Sequence, residues 1–125
     1  GYNKICKSTN VPIVTGENNF THKDLLPFIK SKKIPILQPD IMRGGYTNLL
    51  FTSKLANENG IKIAPHMFPE LSIHIVASIK NPSWLEYMGW YDHLWEDPLL
   101  PINGTLQPSN RPGHGMDFKT EIFSF

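Results

Sequence analysis

Hydrophobic positions in this chain come in short continuous runs that end in a polar residue, and each run is followed by a stretch with helical spacing. The first run, Val11-Pro12-Ile13-Val14-Thr15-Gly16-Glu17, precedes a segment from about His22 to Ser31 in which Leu25, Leu26, Phe28 and Ile29 share one stripe. Runs rich in β-branched residues and bounded by turn formers predict strands; apolar residues three and four apart predict an amphipathic helix. The second run, Ile34-Pro35-Ile36-Leu37-Gln38-Pro39-Asp40, leads through Gly44-Gly45 into a helix predicted from about Tyr46 to Asn59, with Gly60 as its C-terminal stop. The third, Ile61-Lys62-Ile63-Ala64-Pro65-His66, precedes a helix predicted from about Pro69 to Lys80 with Leu71, Ile75, Val76 and Ile79 inward. A fourth run, Ser83-Trp84-Leu85-Glu86-Tyr87-Met88, closes the series.

Strands separated by helices within ~30 residues require parallel pairing through right-handed crossovers, because the chain must return to the same end before each new strand. All the strand C-termini then share one rim, which in α/β barrels is where chemistry is built. Glu17, Asp40 and His66 are expected at that rim, and Glu86 within the fourth strand. The fold class that follows is α/β: residues 1–96 form a partial (β/α) barrel containing the last four strands, and residues 1–10 are the tail of a preceding helix. Residues 97–125, Pro- and Gly-rich from Asp97 to Gly115, form a C-terminal extension that wraps the surface without a catalytic role. The chain's 125 residues are about half of the ~250 that a closed eight-stranded barrel usually needs. That length, and a start at Gly1 within a repeat unit, fit a portion of a longer polypeptide.

Composition narrows the partners. Twelve Lys and Arg against eleven Asp and Glu leave a formal charge of +1, which gives no electrostatic footprint for nucleic acid or a membrane surface. No apolar run approaches the ~20 residues of a membrane span, and no secretory leader pattern is present, so the expected location is cytoplasmic. Cys6 is the sole cysteine, which excludes an internal disulfide. The triplets Asn19-Phe20-Thr21 and Asn103-Gly104-Thr105 fit a glycosylation pattern, which carries little weight without a leader.

Glu17, a carboxylate at a strand end, is a hard-oxygen donor suited to Mg²⁺, or else caps the helix after it. Asp40 and His66 occupy adjacent rim positions, where a carboxylate can hold one imidazole nitrogen and leave the other as a base; the alternative is a structural histidine bonded to backbone. Glu86 lies between apolar neighbours, where burial would favour a proton donor, or else pairs with an Arg or Lys. Three other patterns are weaker. His66, Glu70 and His74 have zinc-like spacing, but Pro69 argues for a helix that starts near it rather than running through it. Gly44-Gly45 reads as a turn, and Lys30-Ser31-Lys32 as the cationic end of a helix.

Taken together, Gly16-Glu17-Asn18, Gln38-Pro39-Asp40 followed by Gly44-Gly45, Pro65-His66 with His74 beyond, and Trp84-Leu85-Glu86 resemble the mandelate racemase/muconate lactonizing enzyme family of the enolase superfamily, in order and spacing across nearly the whole chain. The resemblance implies the C-terminal half of a TIM-like (β/α)7β barrel. It implies that Glu17 is a ligand of a catalytic Mg²⁺, that Asp40 and His66 form a His–Asp dyad, and that Glu86 hydrogen-bonds the substrate carboxylate. Ala64-Pro65-His66 and Glu86-Tyr87-Met88-Gly89-Trp90 look most like acid-sugar dehydratases of the galactarate/talarate type; a 2-hydroxy acid racemase is the alternative within the family. Pro112-Gly113-His114-Gly115 resembles a Pro-Gly-x-Gly turn of the family. The family's Lys-x-Lys strand, two further carboxylate ligands and N-terminal capping domain have no counterpart in this sequence. The chain alone is therefore expected to bind Mg²⁺ weakly and to be inactive, requiring its missing N-terminal half; the competing expectation is a non-catalytic half-barrel that self-associates or binds a partner.

Overall fold

The computed structural model describes residues 1–123. Helix α1 (Tyr2–Ser8) is followed by β1 (Val14–Thr15), α2 (His22–Ser31), β2 (Ile36–Leu37), α3 (Ile41–Glu58), β3 (Lys62–Ile63) and α4 (Pro69–Ser78). Single 3-10 turns at Gly89–Leu94 and Thr120–Phe123 punctuate the remainder. The strands form one parallel sheet in the order β1-β2-β3, with Val14, Ile36 and Lys62 in one register and Thr15, Leu37 and Ile63 in the next. This is the repeating strand–helix architecture that the hydrophobic pattern predicts.

Sequence chemistry explains where the helices begin. Thr21 and Asp24 form a capping box on α2: the Asp24 carboxylate accepts the Thr21 N–H at 2.9 Å and the Thr21 hydroxyl accepts the Asp24 N–H. The Thr21 N–H first, and then the Thr21 hydroxyl that donates to the same carboxylate at 3.0 Å, hold Asp24 below its ordinary pKa of 3.8. Helix α3 starts earlier than predicted. Asp40 caps a first turn by accepting the Met42 N–H at 2.7 Å, Gly45 at φ 70° interrupts it, and regular helix resumes at Tyr46. Pro69 occupies the first turn of α4, where its missing N–H leaves no bond unmade.

The core lies between sheet and helices. Leu37 and Ile63, both fully buried, pack with Leu25 and Ile29 of α2 and Ala56 of α3, and Cys6 of α1 lies against the same cluster. A second cluster joins Ile41 and Leu49 to Ile75 between α3 and α4. On α4 the buried set is Pro69, Glu70, Ser72, Ile73 and Ile75, so of the predicted inward stripe Ile75 is buried while Leu71, Val76 and Ile79 are half-buried. On a second side Ile73 and Val76 line a cavity of about 430 Å³ with Trp84, Pro101, Leu106 and Pro108. His74 Nε2 lies 3.1 Å from the His114 carbonyl, within the Pro-Gly-His-Gly turn.

The fourth run departs from expectation. Its backbone meets β3 at one parallel bridge, Ile63 to Pro82, and residues 83–88 continue as extended chain rather than strand. The bridge joins the Ile63 N–H to the Asn81 carbonyl and the Ser83 N–H to the Ile63 carbonyl. Pro65, the next donor position beyond β3, has no N–H, and among the described residues no further strand pairs with this segment. The C-terminal segment folds back on itself: Trp95 stacks on Phe118 at 4.3 Å, and Arg111 pairs with Asp97 and Asp117. Among the described residues no helix is long and apolar enough to cross a membrane.

Candidate active site

Beyond the last paired residues, the sheet ladder runs on to the rim. The Gln38 N–H donates to the Thr15 carbonyl, Ala64 to Leu37 and His66 to Pro39, and Asp40 and His66 form a parallel bridge. Gly16 lies so close to Gln38 that an added Cβ would sit 2.9 Å from backbone atoms, and it adopts φ 145°. Only glycine allows β1 to turn there. Glu17 is thus delivered to the rim by a close approach of β1 to Gln38.

Three of the four predicted site residues meet. His66 Nδ1 lies 3.0 Å from Asp40 Oδ2, and Nε2 lies 3.1 Å from Glu17 Oε2. Asp40 is buried and its other oxygen caps α3, so it cannot swing away without exposing a helix end. The His66 side chain is 24% exposed and Glu17 50%, so freedom rises from Asp40 outward to Glu17. Both imidazole nitrogens face carboxylate oxygens, and only a doubly protonated ring donates at both. The dyad expected from sequence is present in geometry. The contact on the second nitrogen was not anticipated, because residues 49 positions apart carry no local signal of it.

Glu86 reaches the same region from outside the sheet. It is half-buried, and its Oε2 accepts the Met67 N–H at 2.8 Å, one residue beyond His66. Flanking Trp84 is 46% exposed, so the apolar enclosure expected around Glu86 is incomplete. Behind it, Tyr87 donates to Asp92 at 2.7 Å, and that bond, then burial and the nearby Asp92 and Glu70 charges, push the phenol up to about 12.

Asn48 of α3 went unrecognised in the sequence. Its Oδ1 accepts the His22 N–H at 2.7 Å and its Nδ2 donates to the Phe20 carbonyl at 3.3 Å. The loop that follows Glu17 is thereby fastened to the helix that follows Asp40. A polar residue opposite the bulky stripe of a helix is a common sight, and nothing in its spacing marks this one.

Mg²⁺ takes few carboxylates, keeping waters or substrate oxygens in an octahedral shell. Among the described residues no group of three or more His, Cys, Asp or Glu converges as a metal site. Asp40 is buried with both oxygens engaged, whereas Glu17, held by Asn18 and His66, is half exposed and so the rim acid most open to a cation. The donor set fits one ligand position rather than a complete site. His66, Glu70 and His74 do not converge either: Glu70 is buried in the first turn of α4, while His74 faces the C-terminal segment.

Comparison with known proteins identifies the fold and the family. The chain is 30% identical over 119 residues to L-talarate/galactarate dehydratase of Salmonella typhimurium, covering 94% of itself and 29% of that protein. It is 28% identical over 123 residues to 3,6-anhydro-alpha-L-galactonate cycloisomerase of Streptomyces coelicolor, covering 95% of itself and 34% of that protein. The chain thus spans about a third of the length of the curated relatives it matches. Its structure superposes on L-talarate dehydratase from Polaromonas sp. JS666, a complex with Mg and L-glucarate, with a TM-score of 0.88, at 26% identity, over 98% of this chain and 35% of that one. The family model described as enolase C-terminal domain-like matches residues 1–122, and the chain belongs to that family, the mandelate racemase/muconate lactonizing enzymes of the enolase superfamily.

Proposed function

We propose that this chain supplies the acid–base side of a Mg²⁺-dependent enzyme that removes the proton α to a carboxylate, with an acid sugar as substrate and loss of the β-hydroxyl as outcome. The observation that carries the reading is the line Asp40–His66–Glu17 across the C-terminal ends of successive parallel strands, joined by contacts of 3.0 and 3.1 Å. Acid-sugar dehydratases among the relatives favour this chemistry over racemisation of a 2-hydroxy acid.

In this reading Asp40 accepts the Nδ1 proton and fixes the ring, so that Nε2 takes the α-proton. The C–H electron pair moves into the substrate carboxylate as an enediolate, which then expels the β-hydroxyl as water with the proton returned by the imidazolium. Glu86 turns one oxygen toward the substrate carboxylate. Glu17 would hold Mg²⁺, which when bound stabilises negative charge on the substrate. Glu17 leaving Nε2 for that role would free the base.

One carboxylate ligand and a sheet whose second face is covered only in part support a requirement for the rest of the barrel. The test is a chimera in which this chain replaces the corresponding third of L-talarate/galactarate dehydratase. Incubated in D₂O with Mg²⁺ and L-talarate or galactarate, it is expected to exchange the α-proton and release the dehydrated product. A folded chimera that does neither overturns the reading. The isolated chain is expected to do neither.

A further inference from the structure

The two residues after His66 both lie in left-handed backbone, Met67 at φ 49° and Phe68 at φ 46°. Neither is of the Gly, Asn or Asp types that reach this region readily, and such backbone persists only where its surroundings hold it. Here backbone and side chains share the hold: the Phe68 carbonyl accepts the Leu71 and Ser72 N–H groups as α4 begins. The Met67 N–H donates to Glu86 Oε2 at 2.8 Å, the Met67 carbonyl accepts from the hydroxyl of fully buried Ser72 at 3.2 Å, and the Phe68 ring stacks on Tyr91 at 5.7 Å. Of these partners, Glu86 alone belongs to the rim and touches the turn at the residue adjoining His66.

We infer that Glu86 is a positioning residue for His66: one carboxylate oxygen latches the strained turn and so fixes the imidazole against Asp40, which leaves the other oxygen to meet the substrate. The inference rests on the reading of His66 as the base. It gives the two Glu86 oxygens separate duties. Oε2 is committed as acceptor of the Met67 N–H, and Oε1 is the oxygen that remains for the substrate.

The test follows the Met67 amide and the His66 imidazole by NMR in the 125-residue chain, without turnover. Glu86→Gln offers an amide oxygen to Met67 and is expected to leave amide exchange and the imidazole resonances as they are. Glu86→Ala is expected to speed Met67 exchange roughly tenfold to a hundredfold and to displace the His66 resonances. The amides of Gln38 and Ala64, bonded in the sheet ladder, keep their protection in the same sample. Adding Met67→Gly to Glu86→Ala removes the strain and is expected to return the imidazole resonances to their original positions. Unchanged Met67 exchange in Glu86→Ala, or no recovery in the double variant, overturns the latch. If Glu86→Ala fails to fold, Glu86→Asp decides, being one methylene too short: faster Met67 exchange than in Glu86→Gln supports the latch, and equal exchange overturns it. Failure of the chimera to exchange an α-proton would sink the functional reading while leaving these resonances untouched.

Discussion

The helix-facing side of the sheet and the rim where its strands end are built from neighbouring residues, yet they follow opposite rules. Leu37 and Ile63 are fully buried among apolar side chains. A few positions on, buried Asp40 and partly exposed His66 hold polar contacts, and Met67 and Phe68 adopt backbone that unaided chains avoid. The first region holds the fold by burial, which is insensitive to small displacements. The second depends on hydrogen bonds of fixed length and on surroundings that enforce strain. Because the two share strands but not contacts, each can be broken while the other is left standing.

Four experiments would sharpen or break that separation. The largest effect is expected from His66→Asn in the chimera, which should lower α-proton exchange by at least ~10²-fold while the thermal unfolding midpoint stays put; a matching loss of stability would mean that rim and core are not separable. Next comes Leu37→Ala, expected to destabilise the chain by about 2–5 kcal/mol in urea unfolding. Half-buried Ile36, its neighbour in β2, should show well under half that loss when cut to alanine. Smaller again is Asn48→Ala, which should weaken stability by about 1 kcal/mol and speed hydrogen exchange at the His22 amide, with the amides of β2 and β3 unchanged.

The smallest effect concerns Asp24. Its pKa is depressed in the folded chain by the Thr21 backbone bond, so the ionised form is favoured by folding. Its contribution is therefore complete above the ordinary value of 3.8 and fades as the pH falls through the lower folded value. Circular dichroism of the chain and of Asp24→Asn should differ at neutral pH and converge in acid; a constant difference would argue against the capping box.

What the sequence disclosed, and what it withheld, follows the range of the interactions. The strand–helix order, the extent of α2 and the start of α4 at Pro69 were legible, because period, caps and proline act within a few residues. Glu17, Asp40 and His66 could be grouped because parallel connection obliges strand ends to share a rim. The fourth run differs: its composition suits a strand, but pairing needs a neighbour, and its contact with β3 ends at the single bridge around Pro82. Met67, Phe68 and Asn48 were invisible for a related reason. The left-handed backbone at Met67 finds its N–H partner in Glu86, 19 residues away, and the value of Asn48 lies in a loop 28 residues earlier.

Cys6 on α1 gives this architecture a clock. The chain has a single thiol, half-buried where the first helix meets the main core. Because the thiol is half-buried against the core cluster, a thiol reagent modifies it faster the more often α1 lifts away, so the modification rate reports the docking of that helix without an added label. The same trace, taken with and without the remainder of a barrel, reports whether the first helix is held by its own contacts or waits for the rest of the protein to press it home.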